Sequence, residues 1–360
     1  MTNTIRIGNV EIGAGKPVAI QSMTKTDTRD SAATLSQIHE LKEFGCDIVR
    51  AAVPDMEAAA AIGAIRRSAG VPLVADIHFD YRLALECIRQ GVDKVRINPG
   101  NIGDRARVKQ VADAARERGI PIRVGVNGGS LDKAVLAKHG AATAGALVES
   151  ALRQAEELNL CGFYDIVVSI KSSDVFGTVE ACRLFDAKGT GIPQHIGLTE
   201  AGTPTSGLVK STVELYELLR GGIGDTLRVS LTGDPVEEVI AAKTLLKLVH
   251  SEGGRLPGAP ERAGGIELVS CPTCGRCKTD VVRVAREVER RINKIQTSKI
   301  VKVAVMGCAV NGPGEARAAD VGVACGDGKA LLFKRGEPQY QVPEPELVEA
   351  LMREVGSLLA

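Results

Sequence analysis

The chain has 360 residues, 44% hydrophobic and only 3% aromatic, and carries a net charge of +1. That length allows a large domain with a smaller companion, while the balanced charge and scarce aromatics exclude a bulk electrostatic or base-stacking case for nucleic acid. No apolar signal core opens the chain and no apolar run reaches membrane-spanning length. The expectation is a cytoplasmic protein with no nucleic-acid or membrane partner, whose nine cysteines are reduced thiols.

Apolar, β-branched runs occur at 18–23, 47–53, 72–79, 94–98, 121–127, 165–171, 194–200 and 226–231. Stretches of helical period separate them, such as 32–44, 56–68 and 145–158. Eight βα pairs with strands apolar on both faces predict an α/β fold, a (β/α)8 TIM barrel over residues 1–255. A doubly wound open sheet is the alternative. Its glycine-rich first turn is missing, because GAGKP at 13–17 precedes the first strand and runs into proline. Residues 256–265 read as a linker, rich in Gly and Pro. Beyond it, 266–360 predict a small α+β domain: a strand at 266–269, a helix at 281–295, a strand at 301–306, a loop at 307–314, strands at 321–324 and 331–334, and a helix at 345–359.

Active sites of such barrels lie at the carboxyl ends of the strands, and these ends are unusually polar here. In chain order they offer Gln21 and Ser22, Arg50, Asp76 with His78 and Asp80, Arg96 with Asn98, Arg123 with Asn127, Ser169 with Lys171, Glu200, and Arg228 with Ser230. Alternate strand residues share a face, so Asp76 and His78, Arg96 and Asn98, and Arg228 and Ser230 are same-side pairs. An arginine at a strand end can simply pair with a neighbouring helix. Four arginines and a lysine at one rim of a nearly neutral chain point instead to an anionic ligand, a phosphate or diphosphate ester. Asp76, His78 and Glu200 are candidates for proton transfer or orientation. His195 sits near the start of its strand, away from the rim. Cys46, Cys87, Cys161 and Cys182 read as small buried hydrophobes.

Cys271, Cys274 and Cys277 fall in SCPTCGRC. Structural zinc completed by Cys308, a thiol–disulfide switch and an iron–sulfur cluster compete for them. The switch lacks its thioredoxin-like βαβ setting, and local spacing leaves zinc and iron–sulfur open. A ferredoxin run would place its fourth cysteine where Val281 stands. Cys308 lies in GCAVNGPGEA (307–316), whose Asn-Gly and Pro-Gly turns bring backbone amides and Glu315 back toward it, so it reads as a ligand.

SCPTC followed by GCAVNGPGEA resembles the 4-hydroxy-3-methylbut-2-enyl diphosphate synthase family. The resemblance extends through PVAIQSMT, GCDIVR, PLVADIHFDYRLAL, RINPGNIG, IPIRVGVNGGSL, SSDVF, GLTEAG and GIGDTLRVSLTGDPVEE, and so covers almost the whole chain. It implies the bacterial two-domain form, a TIM barrel joined to a small domain like the ferredoxin-like modules of sulfite reductase, without the plant-type insertion. It implies a 4Fe-4S cluster held by Cys271, Cys274, Cys308 and Glu315, leaving Cys277 and Cys325 without a role. The implied substrate is 2-C-methyl-D-erythritol 2,4-cyclodiphosphate, held by Arg50, Arg96, Asn98, Arg123, Asn127, Lys171, Arg228 and Ser230. Glu200 and the pair Asp76 and His78 become candidates for proton delivery beside Glu315. It further implies a head-to-tail homodimer and ferredoxin or flavodoxin as electron donor. The basic residues of helix 281–295 (Arg283, Arg286, Arg290, Arg291, Lys294) read first as a solvated face balanced by Glu287 and Glu289, and second as a docking surface for such a donor. Two other classes remain at this stage: a non-catalytic iron–sulfur redox sensor, which needs no cationic rim, and a zinc-stabilised barrel enzyme acting on a phosphate ester.

Overall fold

Aspartate ahead of a helical run is the recurrent local signal of the first part of the chain. Asp30, Asp55, Asp80, Asp104 and Asp132 each accept a backbone N–H in the first turn of the helix they precede. These caps satisfy amides that a helix start leaves orphaned. The helices are α1 (Ser31–Glu43), α2 (Met56–Ala69), α3 (Tyr81–Arg89), α4 (Pro99–Ile102), α5 (Arg105–Arg118), α6 (Lys133–His139), α7 (Ala144–Asn159), α8 (Val175–Asp186), α9 (Pro204–Arg220) and α10 (Pro235–Ser251). Between them run β3 (Ala19–Met23), β4 (Ile48–Ala52), β5 (Leu73–Asp76), β6 (Lys94–Ile97), β7 (Ile122–Asn127), β8 (Ile166–Lys171), β9 (His195–Ile196) and β10 (Thr226–Leu227), after a hairpin of β1 (Ile5–Ile7) and β2 (Val10–Ile12). This computed structural model describes residues 2–251, 264–273, 277, 279–307 and 319–360. They fall into two compact units, Met1–Pro260 and Glu261–Ala360.

In the first unit β3 to β10 form one parallel sheet of eight strands in the order β8-β7-β6-β5-β4-β3-β10-β9. A parallel bridge from Val168 to Gln194 joins its two ends and closes the barrel. The expected TIM barrel is therefore observed. The last two strands are two residues each, far shorter than 194–200 and 226–231 predict. Similarly, β5 ends at Asp76, so His78 lies beyond the strand and Asp80 caps α3.

Side-chain alternation sorts the barrel into an outer and an inner core. Outward-facing Val49, Ala51, Leu73, Ala75, Val95, Ile97, Val124, Val168 and Ile170 pack with the helices. Inward-facing Ala19, Ile48, Val74 and Val167 form an apolar floor, closed by Ile5, Ile7 and Ile12 of the hairpin. The interior above this floor departs from the apolar filling that buried strands lead one to expect. Gln21, Lys94, Arg123, His195 and Thr226 are all buried.

The second unit holds β11 (Gly265–Ser270), α11 (Val281–Ile292), β12 (Ile300–Met306), β13 (Val321–Cys325), β14 (Lys329–Lys334), β15 (Glu337–Pro343) and α12 (Leu347–Leu359). Its sheet runs β11-β12-β13-β14-β15, parallel across the first three strands and antiparallel thereafter. Val281, Val284, Val288 and Ile292 recur at helical spacing on α11 and pack with Leu347, Ala350, Leu351 and Val355 of α12. The α+β reading holds, with β15 added; its residues are almost all exposed, so no burial pattern marked it. Residues 256–263 of the expected linker lie outside the described residues, and Gly265 already belongs to β11.

The hairpin floor gives a stability prediction. Ile7 is completely buried among Ile48, Val74 and Val167. Ile7→Ala should destabilise the barrel by about 2–5 kcal/mol, read as a lowered midpoint in urea unfolding of the full chain.

Candidate active site at the barrel mouth

Inward alternation brings residues from five strands, and from the segments that follow the strands, to one cavity of about 200 Å³. Its walls include Arg50, Asp76, His78, Arg96, Arg123, Asn127, Ser169, Lys171, Arg228 and Ser230. Thus ten of the rim residues singled out in the sequence converge. Five do not: Gln21, Ser22, Asp80, Asn98 and Glu200. Asn98 caps α4, its Oδ1 accepting the Gly100 N–H at 3.1 Å, and lines a different hollow with Pro99 and Leu131. Glu200 is displaced because the seventh strand ends at Ile196; it lines an adjoining hollow of about 690 Å³. Asn127 and Thr199 line both hollows. Glu200 has φ +54, a left-handed conformation that a non-glycine residue adopts only under local constraint.

Asp76 is the carboxylate at the centre of the cations. Its Oδ1 accepts from Arg96 Nη1 at 3.1 Å, while Oδ2 lies 3.4 Å from His78 Nε2 and 3.9 Å from Arg50 Nε. Burial pushes this carboxyl up, but Arg50, the His78 hydrogen bond, Arg96 and Arg123 together hold it far below the usual carboxylate range. It is therefore ionised at neutral pH. The cations outnumber it. Burial, with Arg228 and Arg96 nearby, pushes Arg50 down to about 10 against the pull of Asp76. Burial and the neighbouring Arg50 and Arg96 push Arg123 down, and burial, Arg123 and Arg50 push Lys171 down. A guanidinium does not deprotonate in a protein, so this crowding is a demand for an anion.

The hydrogen bonding is correspondingly incomplete. Nε and Nη1 of Arg123 and Nε of Arg96 are buried without a hydrogen-bond partner among the described residues. Arg50 rests its Nε and Nη2 on the Met23 thioether at 3.1 and 2.9 Å, a weak acceptor that an oxygen anion would displace. Arg228 is held differently. Glu238 of α10, fully buried, accepts from its Nε at 3.1 Å and its Nη2 at 3.2 Å. Ser22 Oγ and the Leu231 N–H donate to the same carboxylate at 3.0 and 3.1 Å. Glu238 thus aims Arg228 as a bidentate clamp. The sequence reading missed it, although it sits beside the apolar stripe Val236, Val239, Ala242 where a solvent-facing glutamate does not belong.

Gly125 makes room for the cations. A Cβ there would stand 2.7 Å from Arg96 Nε and 2.8 Å from Nη2. Gly125→Ala should therefore displace the Arg96 guanidinium and weaken pyrophosphate binding roughly tenfold, about 1.4 kcal/mol, in calorimetric titration, with an unchanged circular dichroism spectrum.

In the second unit Cys271 follows β11 directly, and its N–H donates to Val305 of the neighbouring β12 at 2.9 Å. A Cβ on Gly307 would collide with Cys277 Sγ and come 3.4 Å from Cys271 Sγ, so both sulfurs face the end of β12 just before position 308. Thr273 holds φ +67, rare for a β-branched residue and another sign of local constraint. Cys274, Cys308 and Glu315 lie outside the described residues. The Cys271 and Cys277 sulfurs beside Gly307, at the carboxyl end of β12, are soft donors of the kind a thiolate-bound metal centre uses. Cys325 is buried, and its thiol is pushed up to about 11 by burial, then by Glu344, Cys277 and Cys271. On α11, Arg291 donates to Glu287 at 2.7 Å and to Glu349 at 2.6 Å, as a balanced solvated face requires.

The fold and this cavity define a (β/α)8 barrel protein with an anion-binding mouth and a cysteine-bearing second unit. Two family models match, the GcpE TIM-barrel domain at residues 2–243 and the GcpE protein C-terminal domain at residues 267–357. The chain belongs to the GcpE family. It is 54% identical over 359 residues to a 4-hydroxy-3-methylbut-2-en-1-yl diphosphate synthase (flavodoxin) of Geobacter sulfurreducens, covering 100% of this chain and 98% of that one. A protein of the same name from Caldanaerobacter subterraneus is 52% identical over the same length, with the same coverage. Among solved structures, 3-dehydroquinate dehydratase from Geobacillus kaustophilus superposes with a TM-score of 0.51 at 16% identity, over 69% of this chain and 97% of that one, a likeness of fold alone. No helix among the described residues is long and apolar enough to cross a membrane.

Proposed function

We propose that this chain reductively opens 2-C-methyl-D-erythritol 2,4-cyclodiphosphate to (E)-4-hydroxy-3-methylbut-2-enyl diphosphate, with flavodoxin or ferredoxin as electron donor. The observation that carries the reading is the mouth of the barrel, where four arginines and a lysine face a single central carboxylate in a cavity of about 200 Å³. The relatives' names supply the product, and flavodoxin. Two electrons and two protons enter, the ring C–O bond breaks to leave an open diphosphate, and one hydroxyl departs as water.

Arg50, Arg96, Arg123, Lys171, Arg228 and Ser230 hold the diphosphate, with Asn127 beside them. The unpartnered N–H groups of Arg123 and Arg96 are the natural donors to its oxygens. These cations also stabilise the charge that grows on the departing phosphate oxygen, and they do so without rearranging, since the barrel already fixes them. Asp76, expected among the proton donors, is held ionised and serves instead to orient Arg96 and His78. His78, half exposed at the cavity, and Glu200 in the adjoining hollow remain the candidates for carrying a proton to the departing oxygen.

Cys271, Cys274, Cys308 and Glu315 would hold a 4Fe-4S cluster, which when bound supplies single electrons and, at an iron with an exchangeable oxygen ligand, Lewis acidity. The chain works as a head-to-tail homodimer in the cytoplasm, with residues 1–255 binding substrate and 266–360 carrying the cluster.

Anaerobic purification tests this reading. The protein should be brown, contain iron, and oxidise a reduced viologen only when the cyclodiphosphate is added. A colourless zinc protein, or a brown one without turnover, would refute it. Cys308→Ser should lose the iron and the visible absorption, whereas Cys277→Ser should keep both; the reverse outcome would overturn the ligand assignment.

A further inference from the structure

Glu214 is a carboxylate that the reaction as described does not use. It belongs to α9, on the outer layer, at a position that Ser211, Leu215 and Leu218 mark as facing inward, and it is completely buried. Its Oε1 accepts the Gly197 N–H at 3.2 Å, and its Oε2 has no hydrogen-bond partner among the described residues. On the inner side of the same glycine stands Lys171. A Cβ on Gly197 would lie 3.0 Å from the Lys171 Nζ and would also strike the Arg228 carbonyl, and at φ +137 the position favours glycine. The bare backbone of Gly197 therefore separates a buried carboxylate from a buried ammonium that lines the cavity. Lys171 has no carboxylate within 4 Å and no hydrogen bond among the described residues, so its charge is free to turn to a ligand.

We infer that Glu214 is a positioning residue that holds Lys171 at the wall of the empty cavity and takes up a proton when an anion draws Lys171 away. The inference rests on the reading of the cavity as a diphosphate site. Its cause is competition for one cation. Burial opposes the ionised form of Glu214, and Lys171 favours it, leaving the carboxyl raised to about 7. A doubly charged ligand at the mouth engages Lys171 and repels the carboxylate, and both effects favour protonation. For a group near its midpoint, a rise of one unit at pH 7 binds about 0.4 of a proton.

The other groups facing this pair are Arg123 of β7, Arg50 of β4, Arg228 at the end of β10, His195 of β9 and the Cys182 thiol of α8. Three of them are arginines, which stay charged. The Cys182 thiol is pushed further up by burial and by Glu214 itself, so it stays neutral. The competing acceptors are His195, His78 at the cavity, and Lys171 itself, which burial, Arg123 and Arg50 push down. Burial and the surrounding cations hold His195 neutral, with Nδ1 2.7 Å from Thr226 Oγ1.

The test is calorimetric titration of the oxidised holoenzyme, which does not turn over, with the cyclodiphosphate at pH 7. Each phosphate of that ligand carries one ester and one anhydride bond and a single strongly acidic oxygen, so it does not titrate near neutrality. Runs in two buffers of different ionisation heat give the protons exchanged. Wild type should take up about 0.4 proton per site, and Glu214→Gln, which keeps the Gly197 hydrogen bond, fewer than about 0.1. Wild-type affinity should fall as pH rises from 6 to 8, while that of Glu214→Gln stays flat. If Glu214→Gln does not fold, infrared difference spectroscopy of the wild type gives the same answer, because ligand should bring up a protonated-carboxyl band. Uptake that persists in Glu214→Gln, or the absence of that band, overturns the inference alone. No binding in wild type overturns the functional reading and the inference with it.

Discussion

Unbalanced positive charge buried inside the barrel is the constraint on which the rest of the site depends. Arg50, Arg96, Arg123, Lys171 and Arg228 meet Asp76 at the mouth, and Lys94 lies completely buried beneath them. Desolvated cations repel one another unless each is held, so the fold must supply acceptors or an anion must enter. The structure does the first incompletely, which is why it is built for the second. Asp76 serves Arg96, Arg50 and His78 at once; Arg50 rests its Nε and Nη2 on a thioether; among the described residues Nε and Nη1 of Arg123 find no hydrogen-bond partner.

The supports reach in from outside the barrel. Glu238 of α10 clamps Arg228, and Glu214 of α9 stands behind Gly197 opposite Lys171. Both are completely or almost completely buried carboxylates on helices whose other inward residues, Ser211 apart, are apolar. A barrel allows this because its helices pack directly on the strands, so a side chain from the second layer can reach a strand end. Preorganisation of the mouth is thus a property of two layers, with the floor of Ile5, Ile7 and Ile12 closing the space below.

The second unit uses the same economy of strand ends. Cys271 follows one strand and Gly307 the next, and the parallel pairing of β11 with β12 brings them side by side. The clearance at Gly307 leaves space for Cys277 and Cys271 to face the same corner. Thr273, two residues after Cys271, sits in the left-handed region that a β-branched residue avoids, a sign of local constraint.

Much of this was legible in the sequence. Hydrophobic period and aspartate caps specify the alternation of strands and helices, and strand alternation alone puts Arg96 on the same side as Lys94, and Arg123 as Asn127. Those are short-range properties of the backbone, written in neighbouring residues. Other features were not legible there. The seventh and eighth strands shrink to two residues each, because strand length is set by pairing across the barrel; this moves Glu200 to a neighbouring hollow. Asn98 shares the alternation of Arg96, yet the turn after β6 recruits it as a helix cap. The partnership of Glu238 with Arg228, the meeting of Glu214 and Lys171 across Gly197, and the ionised state of Asp76 depend on distances between elements far apart in the chain. The sequence by itself determined which residues carry charge, sulfur and helical or strand period. Only the tertiary structure decided which charges meet in the dry interior, because electrostatic coupling depends on separation and burial, and neither exists before the barrel closes.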